Sequence, residues 1–164
     1  WNAIISAHSQ HFGVLMMFCR MVDSGLQPNE ATFVAVLSAC DNLGLVEGGM
    51  RLFSEMENKY RIQHTVQHCT SVVNMLGKAG MVDEAYEFMS KRPRLGSEPT
   101  VLRALLHASS VHGNIRIGEI AAKKLFDLEP DNAHHFVTLM KMYDNTGRLE
   151  ELEKVKKTMR DKGL

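Results

Sequence analysis

The side chains in this 164-residue sequence most able to do chemistry are eight histidines, three cysteines and a terminal run of basic residues. Their spacing points away from catalysis. His107 and His112 are five apart and face different sides of a helix end, and His134 and His135 are adjacent. Neither pair has the ligand spacing of a closed zinc site, so surface or turn histidines are expected. Cys19, Cys40 and Cys69 form an odd set with no CxxC, each in an apolar helical context, and buried reduced thiols are the expectation. Met16 and Met17 read as core filler. Lys154, Lys156, Lys157, Arg160 and Lys162 fall on the last helical run, where cations suit the negative end of the helix dipole. They also offer charge to a phosphate backbone or an acidic partner. There is no Ser/His/Asp or Cys/His set, no carboxylate pair and no phosphate-cradling glycine loop. No catalysis, metal or cofactor is expected.

Composition narrows the partners. Hydrophobic residues make up 45 % and charged residues 23 %, as in an ordered globular chain. No apolar run reaches the roughly 20 residues of a membrane span. Nineteen basic and nineteen acidic side chains give zero formal net charge. A protein that grips nucleic acid mainly through phosphates carries a basic excess, so RNA binding by this stretch alone should be weak. The chain starts at Trp1 with no Met, signal peptide or transit segment, and reads as a piece of a longer protein.

The strong signal is a repeat. Five quartets share the offsets 0, +3, +4 and +7: Trp1–Ile4–Ile5–His8, Phe33–Val36–Leu37–Cys40, Cys69–Val72–Val73–Leu76, Leu102–Leu105–Leu106–Ser109 and Phe136–Leu139–Met140–Tyr143. That spacing puts each set on one face of a helix. Gly44, Gly80, Gly113 and Gly147 each follow their anchor by 11 residues, where a positive-φ helix stop belongs, and Gly13 follows Trp1 by 12. A second amphipathic run follows each stop. Gly49, Ala85 and Gly118 sit five residues after their stops, small enough to let the two helices of a hairpin cross closely. Pro28, Pro99 and Pro130 mark the returns between hairpins. In the first unit only five residues separate Gly13 from Phe18, against nine between Gly44 and Phe53, so a lost turn and fraying are expected near residues 13–18. The predicted fold is all-α: an α-solenoid of about five stacked helix-turn-helix hairpins, winding as a right-handed superhelix.

A period near 34 residues fits both tetratricopeptide and pentatricopeptide repeats, and the residues choose between them. "WNAIISAHSQ", "LQPNEATFVAVLSACDNLGLVEGGMRLFSEM" and "VVNMLGKAGMVDEAYEFM" resemble the P-, L- and S-type repeats of plant pentatricopeptide-repeat (PPR) proteins. "LRALLHASSVHGNIRIGEIAAKKLFDLEPDN" and "FVTLMKMYDNTGRLEELEKVKKTMRDKGL" resemble the two E motifs of that family's RNA-editing branch. By this match the units are residues 1–29 (truncated P-type), 30–65 (L-type), 66–98 (S-type), 99–132 and 133–164 (E motifs). No HxE or CxxC is present, so a zinc deaminase is absent from this stretch.

The resemblance also implies a site. Base-reading pairs in the family are the residue after the quartet's first member and the last residue of the same repeat. Here these are Asn2 with Asn29, Val34 with Thr65, and Thr70 with Glu98, or Thr100 if the irregular junction "RPRLGSEPTVLR" slides. Two amides suit a pyrimidine edge, by the family's code C and then U. A hydroxyl with an acidic partner leans towards a purine, G. Valine offers no hydrogen bond and little discrimination. Arg103 with Asn132, and Val137, match no base-reading pair. The function implied is a sequence-specific single-stranded RNA-binding and docking module of an organellar C-to-U editing factor, in mitochondrion or chloroplast. Its E motifs would position or recruit a DYW-type cytidine deaminase, and the L-type repeat would dock small organellar editing-factor proteins. The rival is a tetratricopeptide-like protein-interaction scaffold.

Overall fold

The computed structural model describes residues 12–164. Among these it contains nine α-helices, one short 3-10 helix and no strand. They form two compact units, divided between Ala79 and Gly80.

The first unit holds α1 (Gly13–Asp23), α2 (Glu30–Leu43), α3 (Val46–Asn58) and α4 (Val66–Lys78). Asn29 starts α2 with a capping box: its Oδ1 accepts from the Thr32 N–H at 3.0 Å, and the Thr32 hydroxyl accepts from the Asn29 N–H at 3.2 Å. Gly44 ends α2 at φ 68°, and the Leu45 N–H then donates to the Cys40 carbonyl at 2.9 Å. The chain reverses into α3, while α4 packs along α2. All eight quartet side chains on α2 and α4 are buried.

The expected fraying at residues 13–18 does not occur. Gly13 begins α1 instead of stopping a helix, and Val14, Phe18 and Met21 are buried against α2. The helix stays intact because three apolar contacts one turn apart anchor it. Two other expectations fail on the same helix. Cys19 and Met16 are exposed, since Val14, Phe18 and Met21 already use the inward face. Cys40 and Cys69 are buried, and burial pushes the Cys40 thiol up. The Trp1 quartet lies outside the described residues.

The second unit runs α5 (Val82–Ser90), the 3-10 helix Pro93–Ser97, α6 (Pro99–His112), α7 (Ile115–Leu128), α8 (Ala133–Asn145) and α9 (Leu149–Asp161). Leu95 anchors the 3-10 helix in the core, which accounts for the irregular junction read in the sequence. The pairs α6–α7 and α8–α9 are hairpins, and α8 also packs on α6 and α7. Both quartets are buried except Met140, which is half-buried. Gly113 and Gly147 repeat the left-handed stop, followed by N–H donation to the Ser109 and Tyr143 carbonyls. On α9 only Leu152 is buried, and Leu149 stands 64 % exposed.

The small residues do more than bring two helices of one hairpin together. A Cβ on Gly49 would lie 3.2 Å from Cys40 Cβ on its own hairpin, but only 2.5 Å from Met75 Cε and Sδ on the next first helix. Gly118 meets Ser109 and, closer still, the tip of Met142. Met75 and Met142 both stand six residues after their anchors, so each glycine is a notch for the following hairpin's methionine. Ala85 is followed at that register by Ala108 rather than methionine.

Candidate RNA interface

The predicted repeat-end residues prove to be helix caps. Asn29, Thr65, Glu98 and Asn132 are the N-cap residues of α2, α4, α6 and α8. In each case the residue three further on is buried: Thr32, His68, Val101 and His135. Sequence reasoning missed this fifth inward position, one before each quartet. The signal was available, because 32, 36 and 40 or 68, 72 and 76 continue the same helical stripe backwards.

His68 shows what that position does. Its Nε2 lies 3.0 Å from the Glu30 carbonyl, which can only accept, so Nε2 carries the proton. Its Nδ1 then accepts from the Thr65 N–H at 3.1 Å and from the Thr65 hydroxyl at 2.8 Å. Burial pushes the imidazole below its ordinary pKa of 6.5. The ring ties the first turns of α2 and α4 together. Histidine here is a core strut, which corrects the expectation of surface histidines.

Val34 lies one turn along α2 from Glu30 and is half-buried. Thr65 has its hydroxyl proton engaged by His68 and keeps only acceptor capacity. Asn29 is exposed, and its Oδ1 is held by the Thr32 N–H and hydroxyl, which leaves the amide NH2 as the group it turns outward. An amide donor meets carbonyl and ring-nitrogen acceptors of pyrimidines. Asn2, its predicted partner, lies outside the described residues. Thr70 donates its hydroxyl to the Val66 carbonyl at 2.8 Å and likewise keeps acceptor lone pairs. Glu98 is half-buried and makes no side-chain cap bond. Thr70 belongs to the first unit and Glu98 to the second. Thr100 is exposed on the first turn of α6, with its hydroxyl 3.4 Å from Arg103.

In the second unit the equivalent positions carry an ionic network. Arg103 pairs with Glu129, whose other oxygen lies 2.5 Å from His135 Nε2 and 3.2 Å from the Asn132 amide that donates to it. The hydrogen bond from His135, then that from Arg103, holds the Glu129 carboxyl down to about 2. Asn132 also caps α8 by accepting from the His134 N–H. His135 is thus a second buried histidine that the spacing argument did not foresee. Val137 is half-buried. Among the described residues no group of three or more His, Cys, Asp or Glu is placed to hold a metal, and no helix is long and apolar enough to cross a membrane.

Within each unit the hairpins stack with their first helices packed together, the arrangement of an α-solenoid repeat protein. Solved structures agree on that fold: PPR10 from maize matches with TM-score 0.70 and 21 % identity over 99 % of this chain and 24 % of its own. PPR10 in complex with an 18-nt psaJ RNA element matches with TM-score 0.70 and 16 % identity, over 94 % of this chain and 23 % of its own. The PPR repeat model matches residues 31–60 and 68–91, and the E motif model matches residues 112–164. A chloroplastic pentatricopeptide repeat-containing protein of Arabidopsis thaliana is 47 % identical across all of this chain, which covers 31 % of that relative. A mitochondrial one from the same plant is 39 % identical over 98 % of this chain and 23 % of its own length. The chain belongs to the pentatricopeptide-repeat family, with PPR repeats followed by an E motif, an order consistent with the PLS class. It spans about a third or less of these relatives.

Proposed function

We propose that this chain is the base-reading and docking part of an organellar C-to-U RNA-editing factor. Residues 1–29, 30–65 and 66–98 act as P-, L- and S-type repeats that hold single-stranded RNA. Residues 99–132 and 133–164 act as E motifs that position or recruit a DYW-type cytidine deaminase. The observation that carries the reading is the tie between the first turns of α2 and α4 through His68, with Asn29 exposed at the α2 N-cap and its Oδ1 held by Thr32. One repeat then meets one unstacked base with two side chains. In this scheme Asn2/Asn29 favours C and then U, Val34/Thr65 discriminates weakly, and Thr70/Glu98 favours G.

The test is affinity for short single-stranded RNAs that differ at one position. Pyrimidine opposite the Asn2/Asn29 unit should bind about tenfold tighter than purine, and Asn29→Ala should erase the difference. Equal affinity for all four bases would refute base reading there.

A specific feature favours protein docking at the L-type repeat as well. A cleft of about 710 Å³ opens between α1 and α3, with Leu15, Phe18, Val22, Leu52 and Tyr60 in its walls and Cys19 among them. An apolar cleft of this size suits a side-chain anchor from a small organellar editing-factor protein. This interaction is compatible with RNA held on the first helices.

A further inference from the structure

A second cleft, between α6 and α8, has no part in the reading above. Arg103, Leu106 and His107 line it from α6, and His134, His135 and Thr138 from α8, around a volume of about 230 Å³. Arg103 and His107 are one turn apart, as are His134 and Thr138, so each wall is one stripe of a helix. The same register positions on α2 and α4 carry Val34, Ser38, Gln67 and Ser71, all uncharged. In the E half that groove has acquired a guanidinium and two exposed imidazoles. Beneath them His135 is buried, with Nε2 on Glu129 and its Nδ1 buried without a hydrogen-bond partner. Arg103 holds Glu129 through Nη1, and the guanidinium has five N–H donors in all.

The chemistry and the size select the occupant. Leu106 is the one apolar side chain in the lining, so the cleft lacks the hydrophobic floor that anchors a docked peptide helix. Its volume falls below the roughly 300–1,000 Å³ of pockets for larger organic ligands. A single planar base or phosphate fits that space. Imidazole and guanidinium planes stack on unpaired bases, and both donate hydrogen bonds to phosphate oxygens.

We infer that the α6–α8 cleft is a one-nucleotide subsite for single-stranded RNA, in which Arg103, His107 and His134 meet the phosphate or base face above the buried His135. The inference rests on the proposed RNA-binding function and extends it into the E motifs, where the residues match no base-reading pair.

The experiment uses the full 164-residue chain and a His107→Ala/His134→Ala double variant. Both imidazoles are exposed, so the fold should persist, as an unchanged thermal melt would verify. The probes are a labelled single-stranded RNA of about 12 nucleotides and an acidic peptide of similar length. The variant should bind the RNA about tenfold more weakly while keeping the base preference at the Asn2/Asn29 unit. In the unaltered chain the NMR imidazole signals of His107, His134 and His135 should move on adding RNA. Unchanged affinity with unmoved signals overturns the subsite while leaving the base-reading function standing. If the acidic peptide moves those signals and RNA does not, the cleft belongs to a protein partner and the inference falls. If the unaltered chain binds no RNA at all, the proposed function itself fails.

Discussion

Gly118 and Met142 illustrate how one atom's space is allotted between successive hairpins. The notch at Gly118 has no room for a Cβ beside the methionine tip, and Gly49 repeats the arrangement with Met75. Gly118→Ala should overpack the site by about 1–3 kcal/mol, partly offset by about 0.5–1 kcal/mol of helix propensity. Met142→Ala should cost about 2–5 kcal/mol through the hole it leaves. Combined, they recreate the residue types that Ala85 and Ala108 hold at that register, so the double variant should lose about 1 kcal/mol less than the sum of the singles. Urea denaturation of the four proteins measures this. Additive losses would show that the methionine tip does not occupy the notch. The turn glycines differ in kind. At Gly44, Gly113 and Gly147 a Cβ would meet nothing within 4 Å, and the positive φ alone excludes other residues.

Three residues inside the N-cap of α4 stands His68, whose imidazole accepts at its own cap and donates to the Glu30 carbonyl on the preceding first helix. Protonation would place a second N–H at Nδ1, facing the Thr65 N–H that now donates to it. Since burial lowers the folded pKa below 6.5, the unfolded chain takes up this proton first as pH falls. Stability therefore declines as pH falls below about 6.5 and recovers as pH rises. Replacing the ring with a side chain that does not titrate isolates the effect. His68→Gln should be about 1–3 kcal/mol less stable than the unaltered chain at pH 7.5, and the gap should narrow by pH 5. Thermal melts of both proteins across that range give the answer. A gap independent of pH would deny His68 a neutral, buried role.

In the proposed function, charge balance governs how the chain meets RNA. With zero formal net charge it has no electrostatic surplus for phosphates, so the RNA contacts proposed for it are few and directional. One or two phosphate contacts predict that affinity falls about 3–12-fold between 50 and 200 mM salt, against about 10³–10⁵ for proteins that neutralise six to ten phosphates. Fluorescence anisotropy across that range distinguishes the two regimes. A steep loss would mean that the basic side chains of α9, or others, grip the backbone directly. An editing-factor protein anchored in the α1–α3 cleft should respond little to salt, because apolar burial is not screened. The same titration therefore separates RNA held by charge from a partner held by contact.

The hairpin repeat was legible in the residues. Quartets at 0, +3, +4, +7 and glycines at +11 specify local helices and left-handed stops, which depend on neighbours within a few positions. The family resemblance followed from the same residues. What those residues withheld was set by atoms distant along the chain. That Asn29 and Thr65 are caps with their oxygens partly spent, that His68 and His135 are buried, and that Cys19 is not, emerged only once helices packed side by side. Periodicity reports which face of a helix turns inward. Which neighbour that face meets, and whether a polar atom there finds a partner, is decided by three-dimensional packing alone.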